Sequence, residues 1–281
     1  MNPLWPDRIQ QRFESRYDSL LAVERLLGKS TATVWRLRFA TQSVILKATT
    51  RPGEARFYEQ VAPTLRSHAI PIPEVEFNEE QDGVYWLALE DIPHPLPRER
   101  WFCDREVVAV LKRLHRLPLA LPALFQPQWT GEMTEKALAC FPAEVAEAVR
   151  PRLAALQAQY QHLFEPRYPI SGDPNPTNWG VRENGELVLF DWERFGYGTP
   201  ALDLAITVPG LGNLEQFSQV AATYSPSTSP VEPLGRDIAA AKVWTVVEFL
   251  GHFADGQIAD DATVKWIVEQ FGGWVEGLSI D

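Results

Sequence analysis

In the first third of the chain, apolar and polar residues alternate with the period of β-strands. Residues Thr33–Phe39 alternate with period two, and Ser43–Lys47 is a β-branched, apolar run that ends in a lysine. Another apolar run, Val84–Leu89, leads directly into two acidic residues. We therefore predict strands within residues 20–47 and a further, buried strand at 84–89.

Helical spacing appears between these strands and again beyond residue 104. The first predicted helix covers Glu54–Leu65. Its apolar residues recur on one face: Phe57, Val61 and Leu65. A second apolar stripe predicts a helix that begins at Asp104 and ends at His115. This stripe consists of Val107, Val110, Leu111 and Leu114. Further helical patterns cover three stretches: 134–163, Leu234–Phe253 and Asp261–Val275.

The change from strands to helices falls at three prolines, Pro93, Pro95 and Pro97, which predict a stiff connector. We predict an α+β fold with two lobes. The smaller, strand-rich lobe would cover residues 1–92, and the larger, mainly helical lobe would cover 93–281. Two lobes joined by a short connector leave a cleft between them, which is a usual place for a ligand.

Composition limits the classes of partner. The chain has 281 residues, a formal net charge of −11 and a pI of about 5.0. An acidic protein is a poor match for nucleic acid, whose phosphates attract a basic surface. The first residues lack an apolar signal core, and no apolar run is long enough to span a membrane. Cys103 and Cys140 form neither a metal motif nor a disulfide framework, which favours a reducing cytoplasm.

The most informative segment is Ser171–Asn178 together with the apolar run that follows it. Asp173 lies on a Gly-Asp-Pro turn, Asn178 follows after four intervening residues, and Asp191 comes directly after Leu187–Phe190. Phosphoryl transfer to a hydroxyl needs a carboxylate base, and it needs oxygen ligands that hold Mg²⁺ on the nucleotide phosphates. The order and spacing therefore predict Asp173 as the catalytic base, with Asn178 and Asp191 as metal ligands. Taken alone, Asp173 would be better explained as a turn former, and Asn178 is also compatible with a cap or a turn. Asp191 would emerge from the end of a buried strand, where a carboxylate is costly unless it is paired or bound to a metal.

Two further positions suit the same chemistry. Lys47 ends a strand, as a phosphate-binding lysine does in kinases, and Glu54 or Glu59 on the next helix would be its ion-pair partner. A solvated lysine at the end of a strand is the simpler alternative. The segment 28–31 contains a single glycine and is a further candidate for phosphate contact. Glu193, two residues after Asp191, would contact a second metal ion or the substrate, although a surface glutamate fits the pattern as well.

Several motifs in succession resemble the aminoglycoside phosphotransferase and choline kinase family, which shares the protein-kinase-like fold. The matching segments are Leu46-Lys47, Glu54–Tyr58, Leu89–Asp91, Leu111–His115, Gly172–Asn178, Phe190–Glu193 and Gly198–Ala205. Ordered motifs are more specific than any single one. The resemblance implies a small antiparallel sheet in the N-terminal lobe and a larger helical C-terminal lobe. It also implies a Mg²⁺-dependent small-molecule kinase that uses ATP or GTP.

The resemblance assigns roles to matching positions. Lys47 would bind the α and β phosphates and pair with Glu54. The purine would meet the backbone of a hinge formed by Glu90, Asp91 and Ile92. Asp203 would brace the catalytic loop. The family usually has histidine where this chain has Ser171, which would change the support of the loop without removing the base.

Other functions fit parts of the same pattern. A nucleotide-binding pseudokinase that acts as a sensor or scaffold is the main alternative, because Ser171 departs from the family pattern. A metal-dependent hydrolase would use the same carboxylates. The acceptor is predicted to be a small molecule, and a cationic one would suit acidic and aromatic residues of the helical lobe. Those residues are Glu215, Asp237, Trp244, Glu248 and Asp255. The oligomeric state is not evident from the sequence.

Overall fold

A computed structural model describes residues 4–26, 32–118, 120–225, 231–257 and 261–280. The segment 28–31, a candidate for phosphate contact, lies outside these ranges. No helix of the described chain is long and apolar enough to cross a membrane.

Five antiparallel strands form the N-terminal sheet in the order β1-β2-β3-β5-β4. Their bounds are β1 Leu20–Leu26, β2 Thr33–Phe39, β3 Ser43–Thr49, β4 Val75–Gln81 and β5 Val84–Glu90. In β2 the period-two pattern buries Trp35, Leu37 and Phe39, while the residues between them are more exposed. The predicted strands and the antiparallel sheet are confirmed.

One face of this sheet packs against a helix that lies between β3 and β4. Helix α2 (Gly53–Arg56) continues through a single π turn, Phe57–Val61, into α3 (Ala62–Ser67). The predicted apolar face is fully buried at Phe57, Val61 and Leu65. The helix predicted over Glu54–Leu65 is therefore confirmed, with a π turn that the apolar spacing did not indicate.

The opposite face of the sheet is covered by helix α1 (Asp7–Arg16). Ile9 and Phe13 of α1 pack with Trp35, Leu46 and Trp86 of the sheet in a separate apolar cluster. Because side chains alternate across a strand, the neighbours of Leu46 in β3 point away from α1 and towards α2. The sheet thus has two apolar faces, and only the face towards α2 can contribute side chains to a cleft shared with the helical lobe.

Two small sheets follow the main one. Strands β6 (His94–Pro95), β8 (Trp179–Val181) and β9 (Leu187–Leu189) pair antiparallel in the order β6-β8-β9. Strand β7 (Tyr168–Ile170) pairs with β10 (Gly196–Gly198). The proline-rich connector therefore contributes the short edge strand β6, whose backbone aligns with the segment that follows the predicted catalytic loop.

The remaining elements are helices, as predicted for 104–115, 134–163, Leu234–Phe253 and Asp261–Val275, whereas the apolar spacing did not predict the helices found between residues 200 and 224. They are α4 Arg105–Leu114, α5 Gly131–Leu138, α6 Ala143–Gln159, α7 Pro200–Ile206, α8 Leu214–Tyr224, α9 Val231–Ala254 and α10 Asp261–Glu276. Asp104 caps α4 by accepting hydrogen bonds from the backbone N–H groups of Glu106 and Val107. The apolar stripe of α4 is buried in a core that extends from α2 and α3 into the helical lobe. The lobe boundary at 92/93 stays a prediction.

Candidate active site

The predicted catalytic loop begins where β7 ends. Gly172 has a φ angle of +81°, a conformation that glycine adopts more readily than other residues. Asn175 then starts a short 3₁₀ turn, Pro176–Asn178, by accepting a hydrogen bond from the backbone N–H of Thr177 (3.0 Å). The turn brings Asn178 back towards the start of the loop.

Asp173 and Asn178 are in direct contact. The Asn178 amide nitrogen donates to both the backbone carbonyl of Asp173 (3.0 Å) and its carboxylate Oδ2 (3.1 Å). Burial raises the pKa of Asp173 to about 6, with Arg194 opposing this rise and Asp191 adding to it. A carboxylate whose pKa lies near the working pH is well matched to general-base catalysis.

Asp203, on α7, lies beneath this loop and is fully buried. Its two carboxylate oxygens accept hydrogen bonds from the backbone N–H groups of Ser171 (2.8 Å) and Gly172 (2.9 Å). His115, at the end of α4, contacts the same carboxylate through Nε2 (3.1 Å) and contacts the Tyr224 hydroxyl through Nδ1 (3.0 Å). The loop is thus attached to α4, α7 and α8 by one buried polar network.

Ser171 does not join that network through its side chain. Its hydroxyl is buried and has no hydrogen-bond partner among the described residues. The contact with Asp203 comes from the Ser171 backbone N–H, which any residue except proline provides. The position that departs from the family pattern therefore supports the loop through its backbone.

Lys47, Glu54 and Asp191 meet at the face of the sheet that points towards α2. The Lys47 ammonium lies 2.5 Å from Glu54 Oε2 and 3.0 Å from Asp191 Oδ1. Burial by itself lowers the pKa of Lys47, but the two carboxylates outweigh burial and hold the pKa above its ordinary value. Burial raises the pKa of Glu54 to about 7, against the opposing attraction of Lys47. The solvated lysine considered as an alternative is excluded, because Lys47 is only 8% exposed.

Asp191 adopts a left-handed backbone conformation with a φ angle of +64°. Such a conformation is uncommon outside glycine, although Asp and Asn tolerate it better than most residues. The backbone N–H of the preceding residue, Phe190, donates to the carbonyl of Asn178 (3.0 Å). This hydrogen bond places the two predicted metal ligands on adjoining segments.

The three predicted hinge residues lie at the end of β5 and just beyond it. Glu90 forms a two-pronged ion pair with Arg182 (2.7 Å for each contact). Asp91 forms a similar pair with Arg36 and accepts a hydrogen bond from the Ser43 hydroxyl (2.7 Å). The side chains of Glu90 and Asp91 are thus engaged in ion pairs, and contact of the hinge backbone with a purine stays a prediction. Ile92 is partly exposed and packs near Gly180 of β8.

Arg194 is a neighbour of the catalytic loop that the sequence analysis did not identify. Its guanidinium donates to Glu248 on α9 (2.5 Å) and stacks 4.3 Å from the centroid of the Phe125 ring. It directly follows Glu193, which is partly exposed. A basic residue directly after Asp191 and Glu193 was a signal, but the partner Glu248 lies 54 positions further along the chain and no local pattern connects the two.

The five residues proposed for acceptor contact are spread over the helical lobe. Glu248 lies beside Arg194, whereas Trp244 is buried and donates to the backbone carbonyl of Gln128. The others have separate surroundings: Asp237 contacts His162, Asp255 contacts Lys136, and Glu215 is exposed in the first turn of α8. The structure therefore links only Glu248 to the catalytic loop, and it does so through Arg194.

Comparisons with known proteins identify the family and support the fold. A sequence model of the phosphotransferase enzyme family (APH) matches residues 22–234. None of the curated proteins matches the chain. Choline kinase LicA from Streptococcus pneumoniae is a similar solved structure, with 16% identity, a TM-score of 0.62 and coverage of 96% of this chain and 97% of that chain.

Two solved phosphotransferases have a similar architecture. Aminoglycoside phosphotransferase APH(4)-Ia is 14% identical with a TM-score of 0.65, and 96% of this chain and 98% of that chain are covered. Spectinomycin phosphotransferase APH(9)-Ia, solved with ADP and spectinomycin, is 11% identical with a TM-score of 0.63, and 98% of each chain is covered. At these identities the likeness is one of fold, and it confirms the predicted protein-kinase-like architecture.

Proposed function

Because the chain belongs to the phosphotransferase enzyme family, we propose that it transfers the γ-phosphoryl group of ATP or GTP to a hydroxyl group of a small molecule, with Mg²⁺. The family match identifies a phosphotransferase, as the succession of motifs predicted. The nucleotide, the metal ion, the acceptor and the residue roles are parts of the proposal. A cytoplasmic location is also proposed, in keeping with the free thiols of Cys103 and Cys140.

The observation that supports the proposal best is the cluster of Lys47, Glu54 and Asp191. The Lys47 ammonium has a fixed orientation, because each of the two carboxylates attracts one of the ammonium N–H bonds. In a kinase site this arrangement positions a lysine to bind nucleotide phosphates while a nearby aspartate faces the metal ion. A purely structural ion pair would need only one of the two carboxylates.

Asn178 and Asp191 suit Mg²⁺ as oxygen donors. The Asn178 amide nitrogen is used by Asp173, and its Oδ1 makes no hydrogen bond with the described residues. Asp191 uses Oδ1 for Lys47, and its Oδ2 makes no hydrogen bond with the described residues. Since no group of three or more His, Cys, Asp or Glu in the described chain could hold a metal ion alone, the remaining ligands would be phosphate oxygens and water. Bound there, Mg²⁺ would neutralise charge on the phosphates.

Asp173 would act on the acceptor. Its carboxylate would take the proton of the acceptor hydroxyl as the acceptor oxygen bonds to the γ phosphorus. The bond between that phosphorus and the β–γ bridging oxygen would break, and the nucleoside diphosphate would leave. Catalysis of this kind depends mainly on positioning, and the hydrogen bonds from Asn178 and the support of Asp203 hold the base in place.

The first test is thermal stabilisation by nucleotide, with ATP and GTP measured separately, each with and without Mg²⁺. A ligand that binds the folded state raises the melting temperature. The proposal expects stabilisation that requires Mg²⁺ and that is lost in Asp191→Gly. Glycine is chosen because it accepts the +64° φ angle and removes both carboxylate oxygens.

Asp82→Gly is the matched control. Asp82 also has a positive φ angle (+54°), but it is exposed in the turn between β4 and β5. This variant is expected to keep the full nucleotide response. Absence of a response to either nucleotide in the wild-type protein would count against the proposal. Nucleotide binding without transfer to any hydroxyl compound would favour the pseudokinase alternative.

A further inference from the structure

The segment that carries Asp191 also places an arginine against the catalytic loop. A Cβ atom at Gly172 would lie 2.2 Å from the backbone carbonyl oxygen of Arg194, so the two segments touch through their backbones. Gly172 immediately precedes Asp173. The position of Arg194 is therefore tied to the position of the proposed base.

The side chain of Arg194 is held on two sides. Glu248 accepts a hydrogen bond from Nη2, and the Phe125 ring covers one face of the guanidinium at 4.3 Å. Phe125 is itself fixed, because its backbone N–H donates to the carbonyl of Phe195 (3.0 Å). A planar guanidinium held in this way loses little entropy when it binds a further partner.

The other side of the guanidinium has unused donors. Nε is buried without a hydrogen-bond partner, and Nη1 makes no hydrogen bond with the described residues. The side chain is 22% exposed, so part of it is open to solvent or to a ligand. A charged group with unsatisfied donors in a largely buried setting gains most from an anionic acceptor of hydrogen bonds.

From this arrangement we propose that Arg194 is a specificity-determining residue that binds an oxyanion, a carboxylate or a phosphate, on the acceptor molecule. The acceptor would then be a hydroxylated compound with an anionic group, placed so that one of its hydroxyls meets Asp173. This inference rests on the proposed phosphoryl transfer and adds the charge class of its acceptor.

The charge of Glu248 is consistent with this assignment. Glu248 is only 7% exposed and is paired with Arg194, so its carboxylate is not free to attract a cation. An ammonium group on the acceptor would instead meet the positive guanidinium, and like charges at short range disfavour binding. The proposal and the hypothesis of a cationic acceptor therefore predict opposite preferences.

Three six-carbon polyols that differ at one end provide the test. Gluconate carries a carboxylate, sorbitol a neutral hydroxymethyl group and glucamine an aminomethyl cation, and all three share the remaining hydroxyls. Binding of each is measured by titration calorimetry to the wild-type protein with Mg²⁺ and ADP. We expect gluconate to bind at least about tenfold more tightly than the other two, because a charge-assisted hydrogen bond is worth that much.

Two variants with opposite effects assign any preference to Arg194. Arg194→Gln should reduce the affinity for gluconate to that for sorbitol. Glu248→Gln should increase the affinity for gluconate, because the Arg194 guanidinium keeps its donors and the competing negative charge of Glu248 is removed. Arg150→Gln is the control, since Arg150 is a paired arginine on α6 whose partners Glu135 and Glu147 are exposed.

Equal binding of the three polyols, including binding of none, overturns the proposal, as does tighter binding of glucamine. A preference for gluconate that survives in Arg194→Gln also overturns it. The nucleotide response of Arg194→Gln shows whether this variant is folded. If the wild-type protein does not respond to nucleotide, the proposed phosphoryl transfer is contradicted. If it responds to nucleotide but does not prefer gluconate, only the role of Arg194 is contradicted.

Discussion

Gly172 lies so close to Arg194 that no side chain fits between them. An added Cβ atom would be 2.2 Å from the Arg194 carbonyl oxygen and 2.8 Å from its Cβ atom. The first of these contacts is with backbone, which cannot move aside as the end of a flexible side chain can. The turn that carries Asp173 and the segment that follows Asp191 therefore depend on glycine at position 172.

Replacement of Gly172 with alanine should separate these segments. Alanine at a φ angle of +81° costs about 1–2 kcal/mol, and the clash adds about 1–3 kcal/mol. We expect a loss of stability of about 3 kcal/mol in chemical unfolding and a fall in kcat of about 100-fold, because a small displacement of the base is costly.

Gly185→Ala separates backbone strain from the clash. Gly185 has a φ angle of +85°, and a Cβ atom there would meet nothing within 4 Å. The Gly185→Ala variant should lose about 1–2 kcal/mol of stability because of backbone strain alone, and it should keep its activity. Equal activity of the two alanine variants would show that contact between Gly172 and Arg194 does not position the base.

Asp173→Asn should separate binding from chemistry. The asparagine keeps an oxygen that can accept from Asn178, so the loop geometry is retained, but it cannot take a proton. We expect nucleotide stabilisation to persist while kcat falls by about 100- to 10,000-fold. Asp237→Asn is a control, because Asp237 is also partly buried and contacts His162 on another part of the lobe. A kcat within a few-fold of wild type would exclude Asp173 as the base.

Ser171→Ala should be tolerated, although position 171 departs from the family pattern. The hydroxyl is buried and has no hydrogen-bond partner in the described part of the chain, and the substitution leaves the backbone N–H that donates to Asp203 unchanged. Removal of an unsatisfied buried hydroxyl should leave stability unchanged or raise it by up to about 1 kcal/mol, with activity retained. Denaturant unfolding and steady-state kinetics measure both quantities.

Thr134→Val provides the contrast to Ser171→Ala. The Thr134 hydroxyl is also buried, but it accepts a hydrogen bond from the Trp129 indole (2.9 Å). Its removal leaves a buried donor unpaired and should cost about 1–3 kcal/mol. If Ser171→Ala lost as much stability as Thr134→Val, the serine hydroxyl would have a partner that the described contacts lack.

The elements that the sequence predicted well are those whose burial follows a simple period. Strand β2 alternates and the α4 stripe recurs at helical spacing, so each pattern reports a single buried face. Strand β4 was missed, because its residues are nearly all partly exposed and its sequence is rich in acidic residues. Its strand conformation comes from pairing with β5, and the local sequence of β4 carries no information about that pairing. Helix α1 was missed as well, since only Ile9 and Phe13 face the sheet.

The same distinction applies to the candidate site. Asp173, Asn178 and Asp191 share one short segment, so spacing alone could indicate them. The contact between Lys47 and Asp191 joins residues 144 positions apart, and the sequence analysis did not predict it, since it paired Lys47 with Glu54 or Glu59. No sequence motif indicates the contact between Arg194 and Glu248, which lie 54 positions apart and meet only in the folded structure.

We expect Lys242 to make the stability of the fold depend on pH. It is buried on α9, and its ammonium donates to the backbone carbonyl of Val208 (2.6 Å) and has no carboxylate partner among the described residues. Burial lowers the pKa of Lys242 to about 7 from an ordinary value of 10.5. Between these two values the unfolded chain binds a proton that the folded chain does not, so stability rises with pH across this window.

Lys242→Met should therefore stabilise the protein at neutral and low pH. Methionine fills a similar volume without a charge to desolvate, and loss of the contact with Val208 offsets part of the gain, which leaves about 2 kcal/mol near pH 7. The difference from wild type should shrink as pH rises from 7 towards 10.5. Urea unfolding at pH 6, 8 and 10 measures it, with exposed Lys265→Met as the control that should show no such trend. An advantage for Lys242→Met that is the same at all three pH values would mean that Lys242 stays protonated in the folded protein.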